Sequence, residues 1–162
     1  PYYKSDNALL NQRINKGPVE CSHTQPRTIL FAFDAIPIVY VLDARHGSIE
    51  SLFRIPDFDP ISATASTTSD GRSRVSWNVI GETIRRIVHL RDSVYLIQVG
   101  TQTEQSLNDR RRYSSIHSYL INTDTQHGRW ISSSLPPIYD VNGEYLAAGT
   151  HVPFPQVRLY RF

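Results

Sequence analysis

Apolar residues in this chain gather in runs of seven or eight positions, each closed within a few residues by Gly, Pro, Asp or Asn. TILFAFD (28–34) and IPIVYVLD (36–43) are separated by a single residue, and SIESLFRI (48–55) follows after ARHG. Runs of this length, rich in β-branched and aromatic residues, predict strands. In 48–55, Ile49, Ser51, Phe53 and Ile55 share one face, with Glu50, Leu52 and Arg54 on the other. The mixed second face predicts a strand packed on both sides. Gly47 stands where a hairpin turn needs a positive φ, and Asp43 can bond back to the turn's backbone. PDFDP (56–60) ends the strand, because proline lacks a ladder donor.

The stretch PISATASTTSDGRSRVS (60–76) is small and polar, and reads as a surface loop turning at Asp70-Gly71 and a possible unit boundary. TIRRIVHL (83–90) and SVYLIQVG (93–100) predict strands around Arg91-Asp92. Ile80, Ile84, Ile87 and Val88 also have helical spacing, but β-branching and short length favour a strand. TQTEQSLNDRRRYSS (101–115) reads as a long polar loop. IHSYLIN (116–122) and GRWISSS (128–134) predict a hairpin around TDTQH; YDVNGEYLAAG (139–149) carries the turn signal Asn142-Gly143, and QVRLYRF (156–162) a final strand. Residues 1–27 are polar and irregular. About ten short strands with no convincing helix predict an all-β protein of antiparallel sheets, a propeller or a β-sandwich.

Composition narrows this only a little. The 162 residues suffice for a core; 40% are hydrophobic and 20% charged, as in globular chains. A net charge of +2 falls short of the basic excess of a dedicated nucleic-acid binder, so no nucleic-acid partner is expected. Lys4 and Lys16 are the only lysines among 17 basic residues. Cys21 is the only cysteine, which excludes an intrachain disulfide, and its polar, proline-flanked setting is not that of a reactive thiol. No apolar run is long enough for a membrane helix. Met is absent even at position 1, so the chain is expected to be a processed product or a fragment, with a secreted or periplasmic location open if a targeting segment has been removed.

Candidate chemistry is sparse. No phosphate loop, nucleophile elbow or HExxH pair occurs, and no cofactor or metal is expected. The six histidines, His23, His46, His89, His117, His127 and His151, are spread one to a segment; only His89 and His117 fall in predicted strands. Asp57 and Asp59 alternate as paired carboxylates or calcium ligands would, but nothing else nearby has ligand spacing and a turn is the better reading. Trp77 and Trp130 read as packing residues. The sharpest feature is NDRRRYSS (108–115). Arg110, Arg111 and Arg112 offer forked donors for an anion and Tyr113 a stacking face, against the plainer reading of a solvated loop. Loops longer than about 12 residues are often binding loops.

IVYVLDARHGSIESLFRIP and IHSYLINTDTQHGRWISSSLP share an order of features: an apolar strand with Tyr, a polar turn ending His-Gly, a second strand, then Pro. Gly47 and Gly128 stand 81 residues apart (128 − 47), about two propeller blades of ~40–45 residues each. On these residues, over 28–162, the chain resembles β-propellers of the six-bladed TolB-like and NHL-like kind, with PFPQVRLYRF similar to a closing strand. It departs from kelch units in lacking their paired Gly and from WD repeats in lacking Trp-Asp. The resemblance implies part of a propeller, about two and a half blades at its C-terminal end. It also implies a non-enzymatic module that binds a protein or small anionic ligand through loops at one end. The alternative it implies is a propeller hydrolase or lyase with a channel site.

Overall fold

The computed structural model describes residues 17–21, 27–108, 113–132, 135–150 and 156–161. β1 (Val19–Cys21), β2 (Thr28–Ala32), β3 (Ile38–Asp43) and β4 (Ser48–Arg54) form a four-stranded sheet in chain order. β5 (Ser62–Thr67) and β6 (Ser73–Asn78) pair as a separate hairpin. β7 (Gly81–Arg91), β8 (Val94–Gln102), β9 (Ser115–Asn122) and β10 (His127–Trp130) form a second four-stranded sheet, with a short helix, α1 (Glu104–Asn108), between β8 and β9. β11 (Ile138–Asn142), β12 (Tyr145–Thr150) and β13 (Gln156–Arg161) form a third. All strand pairs are antiparallel, and the fold is all-β.

The second sheet is the middle layer. Side chains of a strand point alternately to the two faces. In β8, Tyr95, Ile97 and Val99 therefore enter one core while Leu96 enters another. The first core joins Leu30, Val39, Val41 and Phe53 of the first sheet to Ile84, Ile87, Tyr119 and Ile121 of the second. The second core joins Val88 and Leu96 to Ile138, Leu146 and Ala148 of the third sheet. Each fully buried Ile or Leu contributes roughly 1.5–3 kcal/mol. Polar ties add direction. Gln98 brackets the start of β11: its Nε2 donates to Pro136 O (3.0 Å) and its Oε1 accepts from Ile138 N (2.9 Å). Arg86 Nη1 donates to Ile138 O at 2.6 Å. Both β1 and β11, the first strands of the outer sheets, run beside β7, the first strand of the middle one.

Several expectations are corrected. Residues 60–76 do not form a plain loop: Ser62–Thr67 and Ser73–Asn78 pair in full register around a turn. Thr68 closes that turn: its N donates to Arg72 O at 2.9 Å, and its Oγ1, with one proton to give, stands within hydrogen-bond reach of both Arg72 O (2.8 Å) and the Asp70 carboxylate. Small Ser, Thr and Ala side chains hid the strands, because there was no apolar alternation to read.

β4 is not packed on both faces. It is an edge strand, with Phe53 buried but Leu52 and Ile49 at 56% and 48% exposure. A bulge after Val41 sets Ile49 opposite Leu42, so the simple alternation fails there. The 101–115 segment contains α1. Ser106 N donates to Thr103 Oγ1 (3.2 Å) while Thr103 N donates to Ser106 Oγ (2.9 Å). That is a capping box with Ser in the place of the usual Glu or Gln.

The two quoted hairpins correspond in a different register from the one expected. The hairpins β3–β4 and β9–β10 are the outer pairs of consecutive sheets, each with a four-residue turn. Asp43 Oδ1 accepts from Arg45 N (2.8 Å), and Asn122 Oδ1 from Asp124 N and Thr125 N (both 3.0 Å). The last turn residue has positive φ in both, Gly47 at 63° and Gln126 at 56°. Asp43 and Asn122 therefore correspond, 79 residues apart (122 − 43), and the two His-Gly pairs do not. One sheet plus the β5–β6 hairpin fills that interval, not two blades.

Candidate functional site

The β8–β9 connection is held at both ends. Ser114 N and Oγ donate to Thr101 O at 2.8 and 3.0 Å, so the segment leaves and rejoins the sheet at neighbouring points. Helix α1 shapes its first half. Arg110, Arg111 and Arg112 lie outside the described residues; Tyr113, at the return, is described and half-buried.

The Tyr113 ring lies over the face of the middle sheet at Gly100. A Cβ on Gly100 would stand 2.7 Å from Tyr113 Cδ1, so only glycine leaves room for the ring. On the ring stands Arg85, its guanidinium carbon 5.1 Å from the centroid. Arg85 sits at a β-bulge, between Ile84 and Arg86, where the register with β8 shifts. A bulge re-aims a side chain out of the regular alternation. Charge and ring thus meet where the β8–β9 connection rejoins the sheet, directly after Arg110, Arg111 and Arg112 in the sequence.

Glu82 closes the same end of the sheet. Its Oε2 accepts from Asp59 N (2.9 Å) and its Oε1 from Thr101 Oγ1 (3.3 Å). Gly81 (φ 134°) allows the close approach of the 59–61 backbone, with Glu82 N donating to Asp59 O at 2.5 Å. Glu82 is thereby committed to joining the PDFDP segment to β7 and β8. Asp59 joins through its backbone, and Asp57 takes a turn conformation at φ 55°.

The remaining sequence candidates fall elsewhere. His89 is buried; its ring Nε2 meets Asp92 O at 2.9 Å, inside the β7–β8 turn, and its ring centre lies 4.9 Å from that of Tyr95. His117 is exposed, with Nε2 3.0 Å from Ser115 Oγ and its ring edge-on to Trp130. Trp130 packs on the first core, 5.0 Å from Tyr119. His46 pairs with Asp43 at 2.5 Å, in an exposed turn. His23, His151 and the Trp77 side chain lie outside the described residues. Among the described residues no three His, Cys, Asp or Glu side chains are grouped to hold a metal ion, and no helix is long and apolar enough to cross a membrane.

Sequence reasoning found Tyr113 but missed Arg85, its partner 28 positions earlier (113 − 85). No local pattern marks that pairing, since strand register and the bulge create it. The Thr103-x-x-Ser106 box lacks the Glu or Gln that marks a helix start in sequence, which is why α1 is not legible there. Comparison with protein-family models and with curated proteins returned no match.

Proposed function

We propose that the three sheets are consecutive blades of a β-propeller, with β5–β6 inserted after the first, and that the chain recognises an anionic protein or small ligand through the β8–β9 connection. Two arrangements support the blade reading. The sheets stack face to face in chain order through two separate cores, and their first strands are neighbours, as the inner strands of blades around an axis would be. The single observation that carries the binding reading is the Arg85–Tyr113 pair on Gly100. It sets a guanidinium and an aromatic face at the root of Arg110, Arg111 and Arg112. Guanidinium forks pair with carboxylates and phosphates in two-point geometry.

The test is capture of a fluorescent octaglutamate peptide at low salt. Wild-type protein is expected to bind it. Arg111→Glu is expected to abolish binding while the β-type circular dichroism spectrum persists, and Arg85→Gln to weaken it several-fold. Equal capture by wild type and Arg111→Glu would end the proposal.

A further inference from the structure

The seam between the second and third sheets is not filled along its whole length. Leu90, Leu96, Leu120, Ile131, Leu135 and Leu146 surround a cleft of ≈ 210 Å³ near the β7–β8 turn. It lies towards the far end of β7 from Glu82, away from the Arg85–Tyr113 pair. Leu96 and Leu146 are buried, while Leu90, Leu120, Ile131 and Leu135 are half-buried. For scale, an engineered apolar cavity of about 150 Å³ takes up benzene. Clefts that bind small molecules are mostly apolar, with a few polar groups fixing orientation.

One charged residue lines this cleft, Arg91, which is exposed. The other two arginines of β7 have partners: Arg86 donates to Ile138 O and Arg85 stands on Tyr113. No carboxylate among the described residues pairs with Arg91. We propose that the cleft binds a small aliphatic carboxylate, its tail among the leucines and its head on the Arg91 guanidinium. A single fork donor above an aliphatic wall complements one anionic head and one hydrocarbon tail. A peptide fits less well. Its N–H and C=O groups would meet a lining with no side-chain partner except Arg91, and polar groups buried unpaired oppose binding.

The experiment is titration of the methyl-labelled chain with octanoate, below its micelle concentration, and separately with 1-octanol, followed by NMR. Octanoate is expected to shift the Leu90, Leu120 and Ile131 methyls saturably and to bind at least fivefold more tightly than octanol. Arg91→Gln is expected to bring the two ligands to parity. Leu135→Trp, at a half-buried wall, is expected to remove binding of both with the melting temperature retained; Leu120→Phe serves the same purpose if that variant fails to fold. Arg111→Glu is expected to leave the titration unchanged, which separates this site from the loop. Equal affinity for octanoate and octanol in the wild type, no methyl shift with octanoate, or undiminished binding in a folded cleft-filling variant would each overturn the proposal.

Discussion

The Arg85 guanidinium carbon lies 5.1 Å from the centre of the Tyr113 ring, and that ring rests on the backbone of Gly100. Three residues from β7, β8 and the β8–β9 connection are thus stacked in one column. A methyl group on Gly100 has no room unless the ring leaves. Gly100→Ala is therefore expected to displace Tyr113 and remove its contact with Arg85. The contact at such a site is worth about 0.5–1 kcal/mol. Nuclear Overhauser contacts between the Tyr113 ring and the Arg85 side chain check this; their persistence in the variant would contradict the column.

Gln98 ties the middle sheet to the third through both ends of its amide. Replacing it with Leu keeps volume but strips partners from Pro136 O and Ile138 N. Each buried group left unmade costs about 1–3 kcal/mol. Gln98→Leu is expected to lower stability by roughly 2–4 kcal/mol in urea unfolding. A loss below about 0.5 kcal/mol would show that this bracket does not hold the layers together.

Tyr119 is buried, and burial pushes its phenol above the ordinary tyrosine value. The fold therefore favours the neutral ring. That contribution is complete well below pH ~10, the pKa of an unfolded tyrosine, and is lost as pH rises through the folded value. Melting temperatures measured from pH 8 to 11 are expected to fall more steeply for wild type than for Tyr119→Phe. Parallel curves would remove Tyr119 from the alkaline limb.

The Asp43 carboxylate is held below the usual aspartate range by the Arg45 backbone N–H and then by His46. A depressed value means that the fold prefers the charged form. The contribution is present above pH ~4 and disappears as pH falls through the folded value. Asn122, at the same place in the β9–β10 turn, makes the corresponding backbone bonds without charge. Asp43→Asn is thus expected to keep the turn and flatten the acid side of the stability curve between pH 5 and about 2.5. Thermal melts across that range decide it, and an unchanged acid slope would count against the assignment.

Much of this architecture was already written in local order. Alternating or continuous apolar runs of strand length marked β2, β3, β7, β8 and β9, because pleat and side-chain direction depend on neighbouring residues alone. Asp43, Gly47, Asn142 and Gly143 marked turns for the same reason: the φ they tolerate and the backbone they can bond lie within a few positions. Hairpin β5–β6 escaped because its sides carry no apolar contrast.

Three-dimensional packing decided what local order left open. Whether Leu52 is covered depends on β4 being an edge strand. Whether Ile97 and Leu96 meet different cores depends on which sheet lies on each side of β8. The pairing of Arg85 with Tyr113 and the gap beside Arg91 arise where separate strands are brought together by register, bulge and stacking. A periodicity says that a face will be buried; only the meeting of distant segments says against what, and how completely.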